Sequence, residues 1–185
     1  MAHSTQTEDP KFLAALAIAL VERPRASLQE LARAVGVSKA TLYRFCHTRE
    51  ELIERLMAHG IEIFSQAIDE AGLDDSPPAD ALRRLAQISF EHREINAFLM
   101  YYWKPDSPME MQLQAESRWS SALDRFFLRG QQAGVFRVDV TAAALTEMWV
   151  SLHCGLIDAE RRGRIARSGL AHVLESMFIE GARAR

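Results

Sequence analysis

In the stretch VGVSKATLYRF, residues 35–45, a lysine, a threonine, a tyrosine and an arginine crowd onto a segment too short to stand as a helix by itself. On a helical wheel advancing about 100° per residue, Leu42, Phe45 and Cys46 fall on one side and face a core. Ala40, Arg44 and His47 centre the opposite side, flanked by Thr41 and Tyr43, with Lys39 nearer the edge. The chemistry available to this face is recognition of a polyanion. Arginine suits guanine edges or phosphate, threonine a thymine methyl or phosphate, and tyrosine a hydrogen bond to phosphate. A short helix held by its neighbours and carrying this face is a reading head for a DNA major groove. The competing reading is a packing unit of the same shape that never meets DNA; the outward polar set has no packing purpose and argues against it.

The surrounding residues are those that a helix-turn-helix needs. Ala32 is small where the next helix crosses, Gly36 supplies a left-handed turn residue, and Val37 and Leu42 fill the gap between the helices. Leu31, Val35 and Phe45 complete a set of seven constrained positions. Ser27-Leu28-Gln29-Glu30 and Thr48-Arg49-Glu50-Glu51 read as capping boxes on either side, and Ser38 as the cap of the reading helix.

With that spacing, SLQELARAVGVSKATLYRFCHTREEL resembles the N-terminal domain of the tetracycline-repressor (TetR/AcrR) family of bacterial transcription regulators. The family pattern resembles T-S-x-x-x-I-A-x-x-A-G-V-S-x-G-T-L-Y-x-x-F-x-x-K-x-x-L. Ser27, Leu31, Ala32, Gly36, Val37, Ser38, Thr41, Leu42, Tyr43, Arg49 and Leu52 match it or substitute conservatively. Strong motifs cover Lys11 to Ala58; beyond them only helix number and lengths agree, with AGVFRVDV at 133–140 similar to the family's turn before its last two helices. The resemblance implies phosphate contacts from Ser38, Thr41, Tyr43 and Arg49, and approach to base edges by Lys39, Ala40 and Arg44. Ala40 stands where the family usually has glycine, and Cys46 where it has an aromatic. No basic residue precedes Lys11, which argues against a minor-groove arm.

Elsewhere helical spacing dominates and strand alternation is nearly absent. Asp9-Pro10 opens a first helix, and a long one runs from the second capping box to Ala71. Ser76-Pro77 opens another, interrupted near 93–96. Ser107-Pro108-Met109-Glu110 is a third capping box, for a helix reaching about Gln132. Asp139 is expected to cap the next helix, which ends by Gly163, and a last helix spans about Ile165 to Ala182. The expected fold is all-α with about nine helices: a three-helix helix-turn-helix domain over 9–55 and a helical bundle over 56–185.

Composition fits a globular chain of 185 residues, 48% hydrophobic and 25% charged, with a net charge of −3. Residues 9–59 nevertheless hold 8 Lys and Arg against 6 Asp and Glu, a mild preference for an anion. Cys46 and Cys154 form no CxxC pair and read as reduced thiols. The start MAHSTQTEDP is no secretory signal, and no apolar run is long enough for a bilayer, so the expected location is cytoplasmic, with no membrane partner. HExxH, GxGxxG, Walker and GxSxG motifs are absent, and no enzymatic activity, metal or cofactor is expected.

In the family the second domain dimerises and usually binds a small molecule. Leu145, Leu152 and Leu156, with Leu170, Val173, Leu174, Met177 and Phe178, form two wide apolar stripes suited to a four-helix interface between two subunits, or else to ordinary core. Phe64, His92, Trp103, Trp119, Phe126, Trp149 and His153 are candidates for a pocket accepting an aromatic or lipophilic effector, though each also suits the interior. YYWKPDSP at 101–108 reads as a pocket gate or a helix end, and Arg161, Arg162, Arg164 and Arg167 as a solvated helix end. The expected function is a homodimeric repressor on a palindromic double-stranded operator, released by a small-molecule effector. The alternative is a DNA-binding regulator without an effector, answering to a protein partner or to its own concentration.

Overall fold

In the computed structural model, residues 9–103 and 110–184 are described. Most of the third capping box, the end of YYWKPDSP and the N-terminal segment before Asp9 lie outside them. Nine helices are found among the described residues: α1 (Pro10–Glu22), α2 (Leu28–Ala34), α3 (Lys39–Phe45), α4 (Arg49–Ala71), α5 (Pro78–Glu91), α6 (Arg93–Tyr102), α7 (Glu110–Gln132), α8 (Ala142–Arg161) and α9 (Leu170–Ala182). The chain divides into two compact units. One draws on residues 1–62 and 92–104, the other on 63–91 and 105–185, so α4 passes from one to the other and α6 belongs to the first.

The first unit is built around α1, whose Leu16, Ala17 and Leu20 are wholly or almost wholly buried. Asp9 caps α1 by accepting from the Lys11 amide at 3.0 Å, with Pro10 in the first turn. Leu31, Leu42, Cys46, Leu52 and Phe98 are buried in the same unit. In the second unit Phe126, Phe127, Phe136 and Phe178 form an aromatic cluster with centroid spacings of 5.1 to 5.7 Å, which Trp149 joins edge-on at Phe178. Phe136 enters this core from the 133–140 turn. That turn is tied down by a single antiparallel bridge between Phe136 and Arg183 and by Gln131 Nε2, which donates to the carbonyls of Arg137 and Val140, both at 2.7 Å.

Three helix starts differ from the sequence expectation. Thr141, not Asp139, caps α8, accepting from the Ala144 amide at 3.2 Å, while Asp139 accepts from Arg137 Nε at 2.7 Å. Helix α5 begins at Pro78, with the Pro77 carbonyl taking the first helical bonds. Helix α9 begins only at Leu170, because Gly169 adopts φ +87° and a left-handed residue cannot continue a right-handed helix. No helix among the described residues is long and apolar enough to cross a membrane.

Gly130 lies inside α7, where alanine would ordinarily stabilise by up to about 1 kcal/mol. Here a Cβ would stand 2.2 Å from the Phe136 ring. Overpacking therefore wins, and Gly130→Ala is expected to destabilise the chain by roughly 1–3 kcal/mol in equilibrium denaturation.

Candidate nucleic-acid interface

The turn between α2 and α3 sets the reading helix. Gly36, at φ +75°, ends α2 in a Schellman arrangement, with the Val37 amide donating to the Ala32 carbonyl at 2.9 Å and the Gly36 amide to the Arg33 carbonyl at 3.3 Å. On the other side of α2 the capping box is complete. Ser27 Oγ accepts from the Glu30 amide at 3.3 Å, and Glu30 Oε2 accepts from the Ser27 amide at 2.8 Å. Ser38 then caps α3, accepting from the Thr41 amide at 3.1 Å, and its hydroxyl lies 2.8 Å from the Thr41 hydroxyl.

The wheel assignment agrees with the burial of α3. Leu42 and Cys46 are fully buried, and Phe45 is half-buried with its ring edge-on to Phe12 at 6.0 Å. The outer face of Phe45 is covered by the Arg55 guanidinium, 5.2 Å from the ring centroid. Ser38, Lys39, Ala40, Tyr43, Arg44 and His47 are exposed together, with Thr41 half-buried between them. The Lys39 ammonium lies 5.1 Å from the centre of the Tyr43 ring, which places a cation and a phenol hydroxyl on one edge of the helix. Cys46 Sγ donates to the Leu42 carbonyl at 3.7 Å, and burial pushes its thiol up to about 11, so it stays protonated and unreactive.

The second capping box is altered in a useful way. Thr48 Oγ1 accepts from the Glu51 amide at 3.0 Å, but Glu51 Oε2 reaches one residue further back, to the His47 amide at 2.7 Å. Its other oxygen accepts from Arg55 Nε and Nη2 at 3.1 and 2.8 Å. The His47 hydrogen bond, followed by that with Arg55, holds the Glu51 carboxyl below the usual carboxylate range. One ionised side chain thus pins the end of α3 to the start of α4.

Arg49, for which the resemblance implies a phosphate contact, is engaged within the chain. Its guanidinium turns inward, Nη2 donating to the Pro24 carbonyl at 2.6 Å and to the Tyr102 hydroxyl at 2.9 Å. A surface groove of about 640 Å³ opens beside Pro24, and Arg23, Arg25, Arg33 and Tyr101 are among its lining residues. Sequence reading does not isolate this groove, because its residues come from the α1–α2 turn, α2 and α6. Its cations add to the anion preference of the unit.

The residues expected to line a pocket separate between the units. His92 and Trp103 bracket α6 in the first unit, as its two caps. In the second, Phe64 and Trp119 are half-buried ring partners at 4.6 Å, with Trp119 Nε1 donating to Ser65 Oγ at 3.4 Å. Phe126 and Trp149 are taken up by the chain's own aromatic core, which leaves them little surface for a ligand. His153 is buried against Phe90 at 5.1 Å, and its Nε2 has no hydrogen-bond partner.

The interface candidates also divide. Leu145, Leu170, Leu174 and Phe178 are buried within the chain and unavailable to a partner. Leu152 and Leu156 are half-buried, and Val173 and Met177 are exposed, alongside Met148, which the helical spacing places one turn before Leu152.

Desolvation lowers His153 from 6.5 to about 4. Between those values the unfolded chain binds a proton that the folded chain does not, so stability is full above pH 6.5 and falls as pH drops towards 4. Denaturation curves should show roughly 3 kcal/mol more loss between pH 7 and pH 4 for the native sequence than for His153→Leu.

Comparison with known proteins bears on the site. No protein-family model matches the chain. The HTH-type transcriptional regulator NfxB of Pseudomonas aeruginosa is 49% identical over 180 residues, 95% of each chain. The HTH-type transcriptional repressor LfrR of Mycolicibacterium smegmatis is 30% identical over 90 residues, and its structure in complex with proflavine superposes with a TM-score of 0.72 over 96% of this chain and 97% of that one, at 21% identity. The ketosteroid transcriptional regulator KstR2 of Mycobacterium tuberculosis shares the fold with a TM-score of 0.78 at 14% identity, over 95% of this chain and 94% of that one. The capped seven-residue helix, its exposed polar face and an identity of 49% along nearly the whole chain converge, and the chain belongs to the TetR/AcrR family of DNA-binding transcriptional regulators, which are not enzymes.

Proposed function

We propose that the chain is a homodimeric repressor that binds a palindromic operator and leaves it when a small aromatic or lipophilic effector binds. The observation that carries this reading is the exposed set Lys39, Ala40, Tyr43, Arg44 and His47 on a helix capped by Ser38 and anchored through Leu42. Arg44 and Lys39 would approach base edges, and Ser38, Thr41 and Tyr43 would contact the phosphates that fix register. Two such helices reach successive major grooves when half-sites lie about one helical turn apart.

Dimerisation would use the apolar surface left open on α8 and α9. Met148, Leu152 and Leu156 recur at a spacing of four along α8, and Val173 and Met177 at the same spacing along α9. Effector binding would centre on Phe64, Trp119 and His153. LfrR binds proflavine and KstR2 is a ketosteroid regulator, and both names point to fused-ring ligands. A neutral imidazole can donate one hydrogen bond and accept another, which orients a polar edge of such a ligand without demanding a charge. For release, the effector must bind the DNA-free arrangement more tightly than the bound one.

Capture of sheared genomic DNA by the purified protein at near-physiological salt, followed by sequencing, tests the reading. Sharp peaks sharing a palindrome support it, and diffuse, salt-labile recovery overturns it. On the selected operator Arg44→Ala is expected to cost about 1–3 kcal/mol and to relax base preference, while Tyr43→Ala weakens all sequences alike. Met177→Glu, at a residue 66% exposed in the single chain, is expected to yield monomers in analytical ultracentrifugation.

A further inference from the structure

Helix α1 ends at a proline, and the consequence is an open hydrogen-bond acceptor. The carbonyl of Leu20 would take its helical bond from residue 24, but Pro24 has no N–H. The last helical bond of α1 is therefore Arg23 to Ala19. The Tyr102 hydroxyl, from the end of α6, donates to this Leu20 carbonyl at 3.3 Å. The same hydroxyl accepts from Arg49 Nη2 at 2.9 Å, and Arg49 also donates to the Pro24 carbonyl at 2.6 Å. The Tyr102 ring is itself fixed, stacked on Phe98 at 4.8 Å and 24°.

Three chain segments thus meet at two side chains: the end of α1 with its turn, the first residue of α4, and the end of α6. The α2–α3 reading head is suspended between the first two. The turn at 23–27 leads into α2, and Arg49 directly follows the residues that leave α3. The arrangement is a costly one. A guanidinium is taken partly out of water on neutral acceptors, and its Nε is buried without a partner. An apolar side chain of similar length would pack there without that desolvation. The bonds are charge-assisted and directional, so what they provide is placement.

We propose that Arg49 and Tyr102 are positioning residues for DNA recognition: they hold both ends of the helix-turn-helix at fixed points, and operator affinity depends on them although neither touches DNA. The proposal rests on the DNA-binding reading above, and its test separates the two.

Tyr102→Phe removes one hydroxyl, and Arg49→Met removes the donors while keeping the length. On the operator selected by the wild-type protein, Tyr102→Phe is expected to weaken binding about tenfold with an unchanged dependence on salt, since no phosphate contact is lost. The double variant should be no weaker than Arg49→Met alone, because the two side chains act as one unit. If Arg49 instead contacts a phosphate, Arg49→Met lowers the salt slope by about 1 and Tyr102→Phe leaves affinity intact, which overturns the proposal. A lower thermal midpoint with unaltered affinity of the folded protein also overturns it. If the wild-type protein selects no operator, amide hydrogen exchange decides the matter without DNA. Tyr102→Phe should then speed exchange at least about fivefold in 20–27 and 45–52 and leave 142–161 unchanged, and uniform or absent change sinks the idea.

Discussion

A seven-residue helix that buries only one of its own side chains completely cannot hold itself in place, and the first unit is organised around that deficit. Each end of α3 receives a dedicated fixture. Before it stand the Gly36 turn and the Ser38 cap; after it, the Glu51 carboxylate takes the His47 amide and ties it to Arg55. Beneath it Leu42 and Cys46 enter the core. Cysteine suffices where the family has an aromatic because Phe45 meets Phe12 beside it and Arg55 lies over the exposed ring face. Every fixture is a local hydrogen bond or a ring contact, so the outer face stays clear for a partner.

The second unit solves a different problem with bulk. Four phenylalanines and a tryptophan make a core large enough to hold the last three helices, and the 133–140 turn contributes Phe136 to it. Packing of this kind leaves the opposite sides of α8 and α9 apolar yet uncovered. Met148, Val173 and Met177 are each more than a third exposed, as befits surfaces that a second copy would cover. The two halves of one apolar stripe thus differ in burial: one packs inside the chain, and the other is left open to a partner of the kind proposed above.

Most of the helix-turn-helix is legible in the sequence because its determinants are local. A cap lies within three residues of the amide it satisfies, a left-handed turn needs its own glycine, and the wheel of α3 needs only the helical period. What escapes is whatever depends on partners distant in sequence. Arg49 looks like a surface cation at a helix start, but its acceptors lie 25 and 53 residues away. The α8–α9 stripes show which residues are apolar and cannot show which half faces inward, since periodicity is the same for core and interface. Asp139 and Thr141 are both good caps two residues apart. Arg137 decides between them by drawing off the aspartate.

Charge sets how much this placement matters. Residues 9–59 carry a surplus of only two cations, and the whole chain is net negative. The sequence-independent part of DNA affinity grows with the number of phosphates neutralised, so a head this weakly charged gains little from proximity alone. A strongly basic protein can tolerate a tilted reading helix, because diffuse attraction still holds it near the duplex. Specific binding by such a head must rest on a few directional contacts, for which Lys39, Tyr43 and Arg44 are exposed candidates. Directional contacts fail when their donors move by about an ångström. A chain that economises on charge must therefore be strict about geometry, and that requirement is what the half-buried Arg49–Tyr102 pair, wasteful as a packing solution, would answer.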